Sequence, residues 1–146
     1  MWEISAFLGI VFLISGVFLS AKWRKEWKKE QPGWRPGKQT EKLVTTGLYG
    51  YVRHPHYLGI LLVLYGVSLL IISIIVIFSL QSIYFLPPTL LLLVATLAFY
   101  VEALREEKKL IRRFGREYEE YRRRVPMFIP RPSLRRREIP KVEHPR

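Results

Sequence analysis

The residues best suited to chemistry lie in the stretch Gly47–Gly59, GLYGYVRHPHYLG. Two histidines, an arginine and three tyrosines occur here, directly before a long apolar run. A residue that precedes proline avoids helical angles, whereas proline is favoured as the first residue of a helix. We therefore predict that His54 is the last extended residue and that Pro55 begins a helix. The free amides and positive dipole end of that helix, with Arg53 beside them, suit an anionic group.

Acidic residues that could complete a site follow the last apolar run, at Glu102, Glu106 and Glu107. If the two apolar runs form a helical hairpin, these carboxylates return to the membrane face that carries His54. Glu102 and Glu106 are four residues apart and share one helix face, while Glu107 lies on the face expected to pack. Carboxylates suit a cationic or polyhydroxyl group, and a helix start suits a carboxylate. Together they predict a pocket for a zwitterionic cofactor.

A metal site is a second interpretation of these residues, because His54, His56, Glu106 and Glu107 supply ligand types that metals use. The proline between the histidines and the lack of a helical i, i+4 histidine pair make the spacing a poor match, so we predict no metal. A third interpretation has no ligand, with His54 capping a helix and the two glutamates on a solvated face. Cysteine is absent, which removes thiol nucleophiles and Cys-based metal sites.

Long apolar segments must position these residues. No Asp, Glu, Lys or Arg occurs from His54 to Val101, and hydrophobic residues make up 49% of the 146-residue chain. Because about 20 apolar residues cross a bilayer core, we predict transmembrane helices at residues 4–21, 57–80 and 83–101. The first is predicted to be a retained helix rather than a signal peptide, since Glu3 precedes it instead of a basic residue.

The predicted fold class is an all-α membrane protein with three transmembrane helices, a tight helical hairpin and a cytoplasmic C-terminal helical segment. Pro87 and Pro88 are expected to delay or kink the third helix. We predict one domain, 1–146, which is divided into five segments. These are a first helix at 1–21, a cytoplasmic loop at 22–56, a hairpin at 57–101, a cofactor-closing segment at 102–130 and a basic tail at 131–146.

Basic residues form two blocks. Nine of the 24 Lys and Arg lie between Lys22 and Arg53, and 15 lie from Arg105 onward. Three spans place both blocks on one side, which the positive-inside rule identifies as cytoplasmic. We therefore predict an integral multi-pass protein with its N-terminus outside and its C-terminus and site in the cytoplasm. Basic residues beside a membrane favour anionic headgroups by about 1 kcal/mol each, so the partners predicted are membrane lipids and not nucleic acid.

The two cytoplasmic segments carry different patterns. Residues 22–38 hold three tryptophans among basic residues and two Pro-Gly pairs, which predicts a solvated linker with aromatic anchors. The segment 102–130 carries an apolar stripe at steps of three and four, interrupted by Gly115, where we predict a bend or a helix end. The stripe consists of Leu104, Glu107, Ile111, Phe114, Tyr118, Tyr121 and Val125. Its one carboxylate needs a partner if it is buried, and its tyrosines are expected to pack rather than react.

The order of these motifs resembles the isoprenylcysteine carboxyl methyltransferase family, within the wider group of integral-membrane methyltransferases that includes phospholipid N-methyltransferases. The resemblance runs from about residue 41 to residue 130: Gly-x-Tyr, Arg-His-Pro-x-Tyr, an apolar hairpin, Glu-Glu, Phe-Gly-x-Glu-Tyr and Arg-Val-Pro. It implies S-adenosylmethionine as cofactor, with Arg124 closing the site from the C-terminal side. The residues it implies around the cofactor are Lys42, Leu43, Val44, Tyr49, His54, Pro55, His56, Tyr57 and Glu106, to which the predicted pocket adds Glu107.

The implied reaction is direct methyl transfer to a lipid-like or prenylated acceptor, with carboxyl O-methylation as the first hypothesis. A carboxylate acceptor needs only a cation to hold it, and we predict Arg53 and Arg124 in this catalytic role. An amine acceptor, as in phospholipid N-methylation, needs a glutamate or histidine as base. Eukaryotic carboxyl methyltransferases carry an arginine where this chain has Glu102, which weakens the case for a carboxylate.

Two further hypotheses concern the whole chain. The chain could be a non-enzymatic membrane scaffold with the same fold. Such a scaffold would not need Tyr49 or the Arg-His-Pro motif. The chain also has fewer spans than some family members, so either part of the lipid channel is missing or two copies of the chain form it together. The second case predicts a homo-oligomer.

Overall fold

The fold consists of helices. The computed structural model describes residues 2–33, 40, 42–78 and 82–130, and no strand occurs among them. Two short 3₁₀ helices, Gly47–Gly50 and Ser82–Phe85, precede the second and third long helices. The α-helices are α1 (Trp2–Glu30), α2 (Pro55–Ile77), α3 (Leu86–Phe114) and α4 (Arg116–Arg124). The predicted all-α class is confirmed.

Three helices are long and apolar enough to cross a membrane, in α1, in α2 and in the stretch from Ile83 to Phe114. Few residues in their most apolar stretches are buried against other parts of the protein, and large apolar side chains such as Phe7, Phe18 and Leu93 lie exposed along them. Side chains of this kind are stable only in a lipid environment. The predicted integral membrane protein is confirmed, and its orientation stays a prediction.

The predicted linker at residues 22–38 is wrong for its first part. α1 does not end with its apolar span near residue 21 but continues to Glu30. The basic and aromatic residues of this extension are compatible with a helix, and the first strong helix breakers are Pro32 and Gly33. Hydropathy therefore located the membrane span but not the end of the helix. The rest of the linker, with Trp34 and the second Pro-Gly pair, lies outside the described residues.

The closest helix packing lies between α1 and α2, which run antiparallel. A Cβ atom on Gly16 would lie 2.7 Å from the backbone nitrogen of Val63, and one on Gly66 would lie 2.6 Å from that of Leu13. Small residues let helix backbones approach closely in membranes, where packing rather than water drives association. A hydrogen bond of 2.8 Å between Ser5 Oγ and Ser73 Oγ joins the other ends of the same helices.

The prolines act as helix starts. Pro55 is the first residue of α2, as predicted. His54 precedes it with φ of −124° and ψ of 64°, which are neither helical nor the extended angles that were predicted. Pro87 and Pro88 lie in the first turn of α3, which begins only after a 3₁₀ segment, so they delay the helix. α3 returns beside α2, where Tyr65 Oη and Thr96 Oγ1 are 3.2 Å apart. Residues 79–81 of the connection lie outside the described part of the chain.

The C-terminal helical segment follows the predicted stripe with one exception. α3 ends at Phe114, Gly115 follows it with a φ of +53° that suits glycine, and α4 comes directly after. Tyr118, Tyr121 and Val125 form a buried cluster against partly buried Leu43, Leu110, Ile111 and Phe114. Leu104, at 37% exposure, does not belong to the buried face, and Ala103 is buried in its place. The predicted basic tail, 131–146, lies outside the described residues.

Candidate functional site

We call the turn into α2, at Arg53, His54 and Pro55, the corner. The segment that follows α4 holds it in place. The backbone N–H of Arg53 donates to the carbonyl of Pro126 at 2.9 Å, and that of His54 donates to Met127 at 3.2 Å. The ring of Phe128 lies 6.0 Å from the His54 ring. Residues more than 70 positions apart thus hold the backbone of His54, whose angles are not helical, before Pro55.

His54 lies between the two adjacent acids of α3. Its Nδ1 is 3.3 Å from Glu106 Oε2 and its Nε2 is 3.5 Å from Glu107 Oε1, and the side chain is 3% exposed. Burial by itself lowers the pKa of His54, but the interactions with the two carboxylates outweigh burial and raise the pKa above its ordinary value. The predicted meeting of the histidine corner and the glutamate pair is present in the fold.

Glu107 pairs with Arg53, which explains a carboxylate on the packing stripe. The Arg53 Nη1 to Glu107 Oε1 distance is 3.1 Å, and the side chains are 10% and 5% exposed. Arg122 approaches the other oxygen of Glu107 at 3.9 Å. An unpaired carboxylate at this depth would be costly, whereas this one has two guanidinium groups and an imidazole around it. Glu107 is therefore an internal anchor of the corner.

Glu106 faces outward from the same corner. Tyr57 Oη donates to Glu106 Oε1 at 2.9 Å, while the other oxygen contacts His54. Its side chain remains 37% exposed, unlike that of Glu107. Two neighbouring acids thus differ in function: Glu107 is enclosed, and Glu106 keeps an accessible edge.

A cavity of about 770 Å³ opens beside Glu106. Of the predicted site residues, those lining it are Lys42, Leu43, Val44, Tyr49, Arg53, His54, His56 and Glu106. Pro55, Tyr57 and Glu107 do not line the cavity but support residues that do. Arg124 lies apart from it, half exposed, with its Nη2 3.8 Å from Glu120 Oε2. The arrangement does not place Arg124 where it could close the site.

Two tryptophans of α1 line the cavity and were not predicted to belong to it. Trp23 Nε1 donates to Tyr49 Oη at 2.8 Å, and the Trp23 ring is stacked on His56 at a centroid distance of 5.0 Å. Trp27 lies next to Tyr49, with centroids 5.8 Å apart. Their i, i+4 spacing would have placed them on one face of a helix, but the assumption of a linker concealed that signal.

Basic residues of α3 were also missed. Lys109, Arg112 and Arg113 line the cavity one and two turns beyond Glu106, and Leu110, Tyr118 and Tyr121 form its inner wall. The spacing of Lys109 and Arg113 from Glu106, three and seven residues, is the helical signal that could have identified two of them. With Lys42 and Arg53 they make the described lining strongly cationic, since Glu106 is its one carboxylate.

Trp23, Trp27, Tyr49 and His56 form an aromatic wall of the cavity, and Tyr49 and His56 are its polar residues. Burial raises the pKa of Tyr49, so its hydroxyl stays neutral at physiological pH. The Nδ1 of His56 is buried, and within the described part of the chain it has no hydrogen-bond partner. A buried polar atom without a partner is costly, and a ligand group in the adjacent cavity would satisfy it. No group of His and acidic residues with metal-binding geometry occurs among the described residues.

Three helices able to span a membrane, with a cavity at the end that carries the basic residues, define the class: an integral membrane protein with a candidate ligand site at one end of its spans. A model of the phospholipid methyltransferase family matches residues 4–117. The chain belongs to this family of membrane methyltransferases. The resemblance inferred from the motifs is therefore confirmed.

Several curated proteins are similar in sequence to part of this chain. A methanethiol S-methyltransferase from Crocosphaera subtropica is 37% identical over 61% of this chain and 29% of its own length. A protein-S-isoprenylcysteine O-methyltransferase from Schizosaccharomyces pombe is 36% identical over 60% of this chain and 33% of its own length. A nickel-cobalt-cadmium resistance protein from Alcaligenes xylosoxydans xylosoxydans is 33% identical over 74% of this chain and 45% of its own length. The chain thus spans about a third to a half of these relatives. No solved structure matches the chain significantly.

Proposed function

We propose that this chain is an S-adenosylmethionine-dependent methyltransferase of the membrane that acts on a lipid-like or prenylated acceptor. The observation that carries the proposal is the corner in which His54 and Tyr57 hold Glu106 at the edge of the cavity. A membrane scaffold has no use for a buried histidine between two carboxylates beside an aromatic-lined cavity. The apolar spans that end at this cavity give a membrane-dissolved acceptor a route to it.

The lining fits the proposed cofactor. A cavity of about 770 Å³ is within the range of small-molecule sites, roughly 300 to 1,000 Å³. The exposed edge of Glu106 suits ribose hydroxyls, and the cations of the lining suit the methionine carboxylate. The rings of Trp23 and Trp27 offer apolar faces for an adenine, and the unpartnered His56 Nδ1 offers a polar contact. These residues, rather than Arg124, would hold the cofactor.

Methyl transfer to a carboxylate needs no acid–base catalysis by the protein. When bound, the cofactor supplies a methyl group already activated on a sulfonium. The protein's part is to orient the acceptor and exclude water from the reaction. The aromatic wall serves exclusion of water, and the cations serve orientation. The proposal assigns acceptor binding to Arg53, Lys109 and Arg112, which line the cavity, rather than to Arg124, which does not.

Carboxyl O-methylation is the reaction that we propose first. A cavity lined by five Lys and Arg residues and, among the described residues, one carboxylate attracts an anionic acceptor. Methylation converts such a carboxylate into a neutral ester, which the same lining holds less strongly. The product therefore leaves the cavity more easily than the substrate, which favours turnover.

Transfer to nitrogen or sulfur is the second candidate. Glu102 occupies the position of the family's substrate-holding arginine, lies outside the cavity lining and contacts Arg105 at 3.3 Å. An amine or thiol acceptor must lose its proton, and His56 Nδ1 is a polar position at the cavity that could receive it. A relative named for S-methylation of methanethiol adds weight to a thiol.

The test is incubation of the detergent-purified chain with methyl-labelled cofactor and a panel of prenylcysteine analogues, fatty acids, phosphatidylethanolamine and alkyl thiols. Label released by mild base from a carboxylate acceptor supports an ester. Base-stable label in a lipid amine or thiol supports the second candidate. No label in any acceptor, together with no thermal stabilisation by millimolar cofactor or its demethylated product, would refute the proposal and favour the scaffold.

A further inference from the structure

A second concave surface lies on the flank of the α1–α2 pair, away from the cofactor cavity. Arg24, Lys25 and Lys28 line its upper part, all three on the extension of α1 beyond the apolar span. They are exposed, and none of them contacts a carboxylate among the described residues. This lack of pairing sets them apart from Lys42, which contacts Glu30 at 2.8 Å. We call this surface the flank groove.

The lower part of the flank groove is apolar. Val17 of α1 and Val63 and Leu64 of α2 line it, within the stretches that cross the membrane. Ser20 lies between the two parts, close to Gly59 at the helix crossing. The groove therefore changes from apolar to cationic along the helix, in the direction from the bilayer to the cytoplasmic side predicted by the charge distribution.

The dimensions of the flank groove match those of a lipid at the interface. Val17 and Lys28 are eleven residues apart, which is about 16 Å along a helix axis. A phospholipid presents its phosphate and its first acyl carbons over a length of this order. No acidic residue lines the groove within the described part of the chain, so a negative headgroup meets no repulsion from these residues. Basic pockets between transmembrane helices on the cytoplasmic side are a known mode of anionic lipid recognition.

We propose that the flank groove binds one anionic phospholipid. Arg24, Lys25 and Lys28 hold its phosphate, and an acyl chain lies along Val17 and Leu64. The apolar half selects a lipid over a free phosphate, and the cations select an anionic headgroup over a zwitterionic one. The site is separate from the cofactor cavity, because Trp23 and Trp27 lie on another face of α1, roughly 100° around the helix.

The proposal is tested by native mass spectrometry of the full chain in detergent, titrated with phosphatidylglycerol, phosphatidylcholine or inorganic phosphate. We expect one phosphatidylglycerol to bind at a concentration about tenfold or more below that needed for phosphatidylcholine. Phosphate alone is expected to give no defined complex. Equal binding of the two lipids, or binding of phosphate as strong as that of phosphatidylglycerol, overturns the proposal.

Two variants separate a defined site from general attraction to basic protein. The triple variant Arg24→Gln, Lys25→Gln, Lys28→Gln is expected to lose about tenfold or more in phosphatidylglycerol affinity. The control variant Lys22→Gln, Lys29→Gln, Lys108→Gln removes the same charge outside the groove and is expected to stay within about twofold. Equal losses in both variants overturn the proposal.

The apolar half is tested separately by Ala21→Phe, which fills the groove from an exposed position of α1. This variant keeps all the charges, and we expect it to weaken phosphatidylglycerol binding about fivefold or more while its circular dichroism stays unchanged. Unchanged affinity means that the acyl chain does not occupy the groove, and it overturns the proposal.

Discussion

At the scale of single residues, the site depends on two adjacent glutamates with different surroundings. Glu107 is enclosed by Arg53, His54 and Arg122, so its charge is neutralised inside the protein. Glu106 uses one oxygen for Tyr57 and the other for His54 and still keeps an exposed edge. In the sequence the two residues form one acidic pair, but in the structure only Glu106 is exposed enough to contact a ligand directly.

Replacing Glu106 by Gln is expected to weaken binding of the demethylated cofactor product by about fivefold or more, because a charged hydrogen-bond acceptor is lost. Isothermal titration calorimetry on detergent-purified protein measures the change. Glu102→Gln is the matched control: Glu102 lies one turn earlier, contacts Arg105 and does not line the cavity. Equal affinities for Glu106→Gln and the parent protein would remove Glu106 from the site.

His54 makes stability depend on pH. Its pKa is raised in the folded protein, so the protonated form is favoured by folding, and its contribution is complete below the unfolded value of 6.5. That contribution is lost as the pH rises through the folded value. We expect the melting temperature to fall between pH 6 and pH 9, and to fall less steeply in His54→Gln. Parallel slopes for the two proteins would contradict this assignment.

At the scale of elements, α4 and the segment after it hold together the corner at Arg53, His54 and Pro55. Tyr121 Oη of α4 donates to the backbone carbonyl of Tyr49 at 2.7 Å, and Tyr49 itself accepts from Trp23. Pro126 and Met127 add the backbone contacts to Arg53 and His54. A short helix with two buried tyrosines, Tyr118 and Tyr121, thus connects α1, the 3₁₀ turn and the start of α2.

Tyr121→Phe is expected to lower the free energy of unfolding by about 1 kcal/mol, because the buried Tyr49 carbonyl loses its donor. The expected readout is a lower melting temperature in detergent, with the same helix content. Tyr51→Phe is the control, since Tyr51 is 59% exposed. A Tyr121→Phe protein as stable as the control would show that this bond does not hold the corner.

The α1–α2 pair depends on glycine at its crossing. Gly16→Ala would bring a Cβ within 2.7 Å of the Val63 backbone, so the helices must separate, at a cost of about 1 to 3 kcal/mol. Gly50→Ala is a matched addition of one carbon, because its Cβ would meet its nearest neighbour at 3.6 Å. We expect a lower melting temperature for the first variant and not for the second. The reverse order would mean that the helices do not pack at Gly16.

At the scale of the whole molecule, three spanning helices place the corner, the cavity and both described basic blocks at one end. The charge asymmetry predicts that this end is cytoplasmic. The proposed cofactor, S-adenosylmethionine, is a cytoplasmic metabolite, so the proposed function requires the same orientation. One measurement of membrane orientation therefore tests both the predicted topology and the location of the proposed site.

The chain has no cysteine, so single introduced cysteines report orientation without background. Lys29→Cys, at the basic end of α1, is expected to react with a membrane-impermeant maleimide only in inverted vesicles. Tyr84→Cys, exposed before α3, is expected to react only in intact cells or right-side-out vesicles. The opposite labelling pattern would contradict the predicted topology and would place the cavity outside the cytoplasm.

Local rules predicted the parts of the fold that depend on neighbouring residues. The apolar runs, the Pro55 helix start and the break at Gly115 follow from hydropathy and backbone preferences over a few residues. The extension of α1 to Glu30 was missed because hydropathy reports the bilayer and not the helix. With that extension unseen, Trp23 and Trp27 could not be assigned to the cavity.

The sequence alone determined three apolar spans, the helix start at Pro55 and the chemistry available at the corner, because each depends on residues that are close together in the sequence. Only the tertiary structure decided which glutamate is enclosed, that Arg53 pairs with Glu107, and that Pro126 and Met127 hold the corner. These contacts join residues 54 to 73 positions apart. Their geometry depends on how helices pack and on where α4 turns back, which no local pattern specifies.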